Sequence, residues 1–304
     1  MNLMMDIKWE RVDCYLCDTP TSKRLYHDDK PIINGQYGYA VYPRICSTCG
    51  LVFLSPRWSS DDYGIFYNYL YDDLYRLESK PDYGIEGVIK NMELIYYRIK
   101  KYLNGNTKNV LDIGCGSGCG SGYGLKYLKE KIKGITIYGI ESSKECCDIL
   151  QSNDIGGILI AEDANSDWPL RYKEKFDLII LRHVIEHMLD PIQVLNKIKS
   201  SLSNNGLIYI ATPDMLHPRT DLRDYDDWLQ YWFRAPHTYY FSRDTLHSTL
   251  KQVELISLNI HDKDNEEVWC LATKDNTNKD NYSYQPMAYN KQLNILRKLN
   301  INIK

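Results

Sequence analysis

Four cysteines near the beginning of the chain have the residue type and spacing of a metal site. They form two Cys-x-x-Cys pairs, Cys14/Cys17 and Cys46/Cys49, on either side of residues 18–45. Each pair can direct two thiolates at one point, and two pairs complete the tetrahedral sulfur coordination that zinc prefers. Since four protein ligands leave no open position, we expect a structural zinc ion. An iron centre with the same ligands, or four reduced thiols without metal, are the alternatives.

A glycine-rich loop is the second group of residues that could do chemistry. Residues 107–118 read TKNVLDIGCGSG, in which a predicted buried strand, 110–113, runs into Gly114, Gly116 and Gly118. The G-x-G-x-x-G spacing of dinucleotide-binding folds fails, because the sixth positions are Cys119, Ser121 and Tyr123. Asp112 would also repel a pyrophosphate. The loop therefore favours a cationic ligand without phosphate.

Histidines and a glutamate form a third group. Glu186 and His187 follow a predicted strand, and His237 stands in the segment Pro-His-Thr-Tyr-Tyr-Phe-Ser. A histidine with a pKa near neutrality can remove a proton from a reacting hydroxyl. His237 lies in the insertion 214–240, which is dense in Trp, Tyr, Arg, Asp and His, as expected of a pocket for a polyhydroxylated or charged ligand. A surface lid or a dimer contact is the alternative for this insertion.

Alternating strands and helices must position these residues. The pattern predicts strands over 135–141, 157–163, 176–184 and 207–211, and helices over 123–131 and 191–202. Asp190 with Pro191 marks a helix start, and Ser242 caps another helix that runs to Lys251. A strand pair over 253–260 and 268–273 closes the predicted sheet. Ligands of such parallel sheets bind beyond the carboxyl ends of the strands, where all the candidate residues of the core fall.

The core resembles a known family. Val-Leu-Asp-Ile-Gly-Cys-Gly-Ser-Gly is similar to the first motif of class I S-adenosylmethionine-dependent methyltransferases, and residues 85–275 keep the family's order of motifs. The resemblance implies an α/β, Rossmann-like, mostly parallel seven-stranded sheet with helices on both faces, here with an N-terminal zinc ribbon. It implies S-adenosylmethionine as cofactor, held by Asp112, Gly114, Gly116, Gly118, Glu141, Asp163 and His183. Glu141 would take the ribose hydroxyls and Asp163 the adenine amine. The duplicated Cys-Gly-Ser-Gly of residues 115–122 leaves open which glycines contact the cofactor.

The same resemblance suggests the acceptor. His237 is the first candidate for the base or acceptor-contacting residue, followed by His187 and Glu186. A two-knuckle zinc module followed by Cys-Gly-Leu-Val-Phe resembles bacterial sugar methyltransferases. Deoxysugar C-methyltransferases share that arrangement but add a C-terminal domain for which this chain leaves no room. We therefore expect O- or N-methylation of a nucleotide sugar or surface-glycan sugar. An RNA- or protein-modifying enzyme that binds its substrate through the ribbon, and a non-catalytic binding protein, are the alternatives.

The charge of the chain and its division into segments lead to expectations about partners, location and domains. A formal net charge of −3 argues against nucleic acid as a partner. The sequence contains no run long and apolar enough for a membrane span, and its N-terminus has no signal-peptide core, so we expect a cytoplasmic protein. The short Leu/Ile pattern near 293–301 could serve a homodimer, but nothing in the sequence demands one. We divide the chain into a ribbon (1–60), an aromatic connector (61–105), the core (106–274) and a polar linker with a short helix (275–304). The connector carries Tyr63, Tyr67, Tyr69, Tyr71 and Tyr75, which either cover the cofactor or join the two parts.

Overall fold

The computed structural model describes residues 7–17, 20, 22–25, 32–33, 39–70, 84–103, 105–116, 122–216, 233–264, 267–274 and 289–298. Gly118, Tyr71, Tyr75 and residues 217–232 of the predicted acceptor insertion lie outside this part of the chain. Within it, none of the helices combines the length and the apolar character needed to cross a bilayer.

Short strands dominate the N-terminal part of the chain. They are β1 (Trp9–Glu10), β2 (Ser22–Arg24), β3 (Ile32–Ile33), β4 (Ala40–Val41), β5 (Pro43–Cys46), β6 (Val52–Leu54) and β7 (Arg57–Trp58). Strands β2, β5 and β6 pair antiparallel, while β1 pairs with β7 and β3 with β4. Two helices follow, α1 (Ser60–Ile65) and α2 (Ile85–Ile99).

The rest of the chain alternates strands and helices. The elements are β8 (Asn109–Ile113), α3 (Tyr123–Lys131), β9 (Thr136–Ile140), α4 (Lys144–Gln151), β10 (Ile158–Ala161), β11 (Phe176–Arg182), α5 (Pro191–Ser201), β12 (Leu202–Pro213), β13 (Tyr239–Tyr240), α6 (Arg243–Gln252), β14 (Ile256–Asp264), β15 (Glu267–Thr273) and α7 (Tyr289–Lys298). Two short 3-10 helices, Trp168–Arg171 and Ile185–His187, lie between them.

Seven of these strands form the central sheet, in the order β10-β9-β8-β11-β12-β15-β14. Neighbours from β10 to β12 are parallel, and β15 runs antiparallel to both β12 and β14. The strand order reverses between the neighbouring strands β8 and β11. The loops after these two strands therefore leave the sheet in opposite directions, at a topological switch point. Open sheets bind ligands in the crevice at such a point. The predicted Rossmann-like, mostly parallel seven-stranded sheet is therefore confirmed.

Alternate residues of the sheet strands belong to two different cores, one on each face. Val110 and Ile180 pack in a cluster with residues of α2 and α3, whereas Leu111 and Ile179 pack in a cluster with residues of α5 and α6. The period of two follows from the strand pleat, since successive side chains point to opposite faces. Helices on both faces bury these central strands completely, which explains their continuous apolar sequences.

Capping and turn residues set the ends of the helices as the sequence indicates. The Asp190 carboxylate accepts a hydrogen bond from the Gln193 backbone at 2.9 Å, and Pro191 takes the first helical position. Ser242 and Thr245 form a reciprocal capping box at the start of α6. The predicted start of strand five at residue 207 is wrong, because β12 begins at Leu202, which pairs with Phe176 ahead of a register shift.

The N-terminal part is joined to the core through a shared sheet. Strand β13 follows His237 and pairs antiparallel with β6, with Tyr239 opposite Phe53. The Leu54 amide also donates to the Thr238 carbonyl at 3.0 Å. Cys14 and Cys46 lie in the same apolar cluster as the α5 and α6 face of the central sheet. The cysteine module is thus built into the fold and not tethered beside it.

Helix α7 ties the same two parts together from the other end of the chain. Gln292 is buried, donates through Nε2 to the Gly50 carbonyl, and accepts from the Ser242 hydroxyl at 3.1 Å. One side chain therefore satisfies a turn of the cysteine module and the start of α6. Leu293 and Leu296 are buried on the same helix.

We expect Gln292→Ala to lower the free energy of unfolding by about 2 to 4 kcal/mol, since it removes one hydrogen bond each from the buried Gly50 carbonyl and the buried Ser242 hydroxyl and leaves a cavity. Urea unfolding followed by circular dichroism measures the change. Asn294→Ala is the matched control, because Asn294 is exposed on the same helix. Equal shifts for the two variants would show that the bridge contributes nothing beyond helix propensity.

Candidate functional site

Asp112 and Glu141 stand at the carboxyl ends of the neighbouring strands β8 and β9. Glu141 is buried, and its two carboxylate oxygens accept hydrogen bonds from the Gly116 amide at 2.8 Å and the Ser143 amide at 2.9 Å. A Cβ on Gly116 would lie 2.5 Å from the carboxyl carbon of Glu141, so no larger residue fits there. The predicted ribose-binding acid is therefore locked against the glycine loop.

Gly114 joins this loop to the next one. It adopts φ +72°, in the left-handed region that favours glycine, and a Cβ there would lie 2.5 Å from Val184 Cγ2. Val184 directly precedes the 3-10 helix Ile185–His187. Because glycine allows this close approach, the glycine loop and the loop after β11 lie side by side. No sequence pattern pointed to Val184.

Asp112 has an unusual electrostatic environment. Burial and, second, the charge of Glu141 raise its pKa to about 8, although Arg182 opposes the shift. A carboxylate in this position gains a counter-charge when a cation binds beside it. Two acids at adjacent strand ends, with a glycine backbone between them, fit the cationic tail and the ribose of S-adenosylmethionine.

Asp163 is placed differently from the other predicted cofactor residues. It follows β10, the next strand along from β9, but it is exposed and its Oδ1 accepts from the Asn165 backbone at 2.8 Å and from the Asn165 side chain at 3.0 Å. The structure therefore brings Asp112, Gly116 and Glu141 together, whereas Asp163 caps its own turn at the open end of that row.

His183 is held by a residue that the sequence did not single out. Its Nε2 lies 2.7 Å from Glu267 Oε1, at the start of β15. Glu267 also accepts from Arg182 and lies 3.5 Å from the Arg98 guanidinium. Burial alone would raise the pKa of Glu267, but the His183 hydrogen bond and the charges of His183, Arg182 and Arg98 lower it to about 2. Glu267 therefore fixes both residues at the end of β11.

The three predicted catalytic residues, Glu186, His187 and His237, come together. One ligand atom of each lies within 4.8 Å of the others, and the two imidazole rings meet edge to face with centroids 4.7 Å apart. Glu186 is 1% exposed, and neither of its carboxylate oxygens has a hydrogen-bond partner among the described residues. His183 Nδ1 lies 3.9 Å from Glu186 Oε1.

Backbone contacts from distant segments hold this cluster. The Thr238 amide donates to the Glu186 carbonyl at 2.8 Å, and its hydroxyl donates to the Met188 carbonyl at 2.8 Å. Arg57, from the N-terminal part, donates to the Leu189 carbonyl at 3.2 Å. Thr238 and Arg57 were not predicted, because their partners are distant in sequence and no local pattern marks them.

Both histidines of the cluster favour the neutral form. Burial, followed by the neighbouring His187 and Arg234, holds the pKa of His237 well below its usual value. Burial also lowers the pKa of His187, although the Glu186 charge opposes this shift. Neutral imidazoles present a lone pair, so each ring can contact a proton or a metal ion.

The aromatic connector contributes to this site. The Tyr67 hydroxyl lies 3.0 Å from His187 Nδ1, and the Tyr63 hydroxyl donates to the Ala235 carbonyl at 2.8 Å. Tyr69 is 74% exposed. Tyr63 and Tyr67 thus pack against the segments that carry His187 and His237, whereas Tyr69 does not.

The four predicted metal-ligating cysteines also converge. Their sulfur atoms all lie within 4.8 Å of one another, and Cys14 Sγ is 3.6 Å from Cys49 Sγ. Tetrahedral zinc with bonds of about 2.3 Å separates its sulfur ligands by about 3.8 Å. The Cys49 thiol lowers the pKa of Cys14 to about 6 through a hydrogen bond. The donor set fits a structural zinc ion.

The sequence matches a family of known proteins. A family model described as a methyltransferase domain matches residues 90–255, more than half of the chain. A ubiquinone biosynthesis O-methyltransferase of Actinobacillus pleuropneumoniae is 29% identical over 34% of this chain and 45% of its own length. A tRNA U34 carboxymethyltransferase of Campylobacter fetus is 30% identical over 38% of this chain and 39% of its own length. The chain thus spans under half the length of these curated relatives.

A solved structure shares the fold. The citrinin polyketide synthase CMeT domain superposes with a TM-score of 0.50 at 11% sequence identity, covering 71% of this chain and 57% of that one. At this identity the likeness concerns the architecture alone.

Proposed function

The chain belongs to the methyltransferase-domain family, and on that premise we propose that it transfers a methyl group from S-adenosylmethionine to an oxygen or nitrogen of a small acceptor. The observation that carries the proposal is the side-by-side arrangement of two loops at one edge of the sheet. The glycine loop with Asp112 and Glu141 meets the loop with Glu186 and His187 through the contact of Gly114 with Val184.

We assign the cofactor to the first of these loops. Glu141 is held by two backbone amides, and we assign its carboxylate to the ribose hydroxyls. Asp112 offers its carboxylate to the positive charge of the ligand. Gly114 and Gly116 let the loop pack closely against Val184 and Glu141, and His183, fixed by Glu267, borders the second loop.

We assign the acceptor to the second loop. When bound, S-adenosylmethionine supplies an electrophilic methyl carbon, which bonds to the acceptor oxygen as its bond to sulfur breaks and the electron pair stays on sulfur. The chain must align the two partners and stabilise the acceptor as its proton leaves. Glu186, His187 and His237 are our candidates for that task, with His237 first, because the three side chains meet beside the cofactor loop.

For the acceptor itself we propose a nucleotide sugar or surface-glycan sugar, as the N-terminal arrangement suggested. Supporting features are the hydrogen-bonding groups that line the second loop, among them Tyr67 and His237. The curated relatives bear other names, for ubiquinone biosynthesis and for tRNA modification. Transfer to tRNA is the second candidate function, favoured by the Campylobacter relative and opposed by the net charge of −3.

A radiolabelled methyl-transfer assay tests the proposal. The purified protein with tritiated S-adenosylmethionine is offered nucleotide sugars, catechol-type hydroquinols and bulk tRNA in separate reactions. We expect label in a nucleotide sugar. Label in the quinol or the tRNA alone would show that the acceptor is that molecule and not a sugar. Failure to bind S-adenosylmethionine in calorimetry would refute the enzymatic function itself.

We expect His237→Ala to lower kcat by about 10²- to 10³-fold while the Kd for S-adenosylmethionine changes less than about twofold. The reason is that His237 lies at the acceptor side of the site. Steady-state kinetics and calorimetry measure the two quantities. His247→Ala is the control, since His247 lies on α6 and bonds to Ser257 at 3.0 Å. Equal losses in the two variants would remove His237 from the site.

We also propose that Cys14, Cys17, Cys46 and Cys49 hold a structural zinc ion. The module then serves the methyl-transfer site indirectly, because its strand β6 carries β13 and its Arg57 binds the loop after β11. Such a role does not require the module to bind substrate.

A further inference from the structure

The geometry points to a second metal site, in which Glu186, His187 and His237 bind a divalent transition-metal ion. Two imidazoles and one carboxylate are the ligand set of open zinc sites and of facial iron(II) sites. The three ligand atoms already lie within 4.8 Å of one another. Bonds of about 2.0 to 2.2 Å need ligand atoms roughly 3 to 4 Å apart, so small side-chain rotations suffice.

Glu186 provides the second, independent observation. Its side chain is almost fully buried, yet neither carboxylate oxygen accepts a hydrogen bond from the described residues. A buried carboxylate without a hydrogen-bond partner destabilises the fold. His183 does not remove this cost, because its Nδ1 is 3.9 Å away and its other nitrogen is bonded to Glu267. A cation among the three ligands supplies the missing counter-charge.

The contacts of His187 suit a ligand. Its Nδ1 lies 3.1 Å from the Pro236 carbonyl, which can only accept, and 3.0 Å from the Tyr67 hydroxyl, which can accept as well. With the proton on Nδ1 both contacts are satisfied, and Nε2 presents the lone pair. Metal-binding histidines are commonly oriented by donating their other N–H to a backbone carbonyl in this way. Pro236 precedes His237, so one segment orients one ligand and supplies another.

With three protein ligands, such an ion keeps an open position, unlike the four-cysteine site. A hydroxyl of the acceptor would occupy it, and coordination lowers the pKa of that hydroxyl. The coordinated hydroxyl releases its proton to solvent, its oxygen forms the bond to the methyl carbon, and the carbon–sulfur bond breaks with its electrons on sulfur. The metal keeps its oxidation state. This step, which rests on the proposed function, makes His237 a ligand and favours alcohol acceptors over amines.

Metal binding is tested on the whole zinc-loaded chain, without cofactor or acceptor. We expect Co²⁺ added to the protein to bind with d–d absorption and no thiolate charge-transfer band, in one equivalent beyond the metal of the cysteine site. Glu186→Gln keeps the side-chain shape and should weaken this binding at least tenfold, as should His237→Gln. Glu254→Gln, an exposed acid paired with Lys199, is the control and should bind as the parent does.

Two outcomes would overturn the site. One is equal Co²⁺ binding by the parent and Glu186→Gln proteins, and the other is a charge-transfer band showing that the extra ion sits on sulfur. Because the readout is spectroscopic, it is separate from turnover. Cobalt binding without methyl transfer to any acceptor supports the metal site and contradicts the proposed function. Full activity in a chelator that leaves the cysteine zinc in place contradicts the site alone.

Discussion

Cys46→Ala is expected to lower Tm by about 10 °C and to reduce methyl transfer below detection. Cys46 is fully buried and ends β5, which pairs with β6, and β6 in turn carries β13 directly after His237. Loss of one ligand releases the ion, and structural zinc contributes its binding energy to folding. A loss of about 6 kcal/mol corresponds to roughly 10 °C in a chain of 304 residues, at about 2.1 cal/mol/K of unfolding entropy per residue. Calorimetry, zinc content and the radiolabelled assay give the three readouts.

Cys270→Ala is the matched control for this prediction. Cys270 is equally buried, but it lies in β15 of the central sheet, far from the other cysteines in sequence. We expect it to keep its zinc and to lose only the stability of a small cavity, about 1 kcal/mol. If Cys46→Ala retained the parent's zinc content and activity, the module would hold no structural ion.

The effect on activity follows from how the module meets the second loop. Thr238 connects β13 to the backbone of Glu186 and Met188, and Arg57 binds the Leu189 carbonyl. A module that loses its metal therefore releases both sides of the acceptor loop. Within the described part of the chain, none of these hydrogen bonds reaches the cofactor loop, so binding of S-adenosylmethionine should weaken much less than turnover does.

The elements that the sequence predicted well are those specified by local patterns. The helix Tyr123–Lys131, the caps at Asp190 and Ser242 and the glycine at 114 each depend on neighbours a few residues away. Period-two burial and parallel pairing then follow from apolar strands separated by helices. These patterns also place Asp112, Glu141 and Glu186 at one edge of the sheet, since the carboxyl ends of parallel strands converge there.

The features that escaped prediction depend on long-range pairing. Glu267 reaches His183 across the end of the sheet, and β13 joins a strand that lies far earlier in the chain. Neither pairing can be predicted from neighbouring residues, because a two-residue strand and a single acidic residue have no sequence pattern that distinguishes them from an ordinary loop. The sequence therefore suggested that the cysteine module is an appendage. In the structure the module shares a sheet with the acceptor segment.

Asp112→Asn is expected to weaken S-adenosylmethionine binding by about a hundredfold at pH 8 and to abolish part of its pH dependence. The attraction between a carboxylate and a cation about 4 Å apart is roughly 4 kcal/mol at an effective dielectric constant of 20. The cost of removing the two charges from water offsets part of this attraction. In the cofactor-free protein the pKa of Asp112 is raised to about 8, by burial first and by Glu141 second. At neutral pH the carboxyl is therefore mostly protonated before the ligand binds.

The sign of the pH effect follows from that shift. The cation binds the ionised carboxylate, so binding below pH 8 releases a proton and becomes tighter by up to tenfold per pH unit as pH rises from 6 to 8. Above pH 8 this contribution levels off. Calorimetry in buffers of different ionisation enthalpy measures the protons released. The ligand's own amino group titrates equally in every variant, so the difference between the parent and Asp112→Asn isolates this carboxyl. Asp148→Asn, an exposed acid on α4, should keep the parent's proton release. The same proton release in Asp112→Asn as in the parent would mean that another group, and not this strand-end carboxyl, meets the charge of the cofactor.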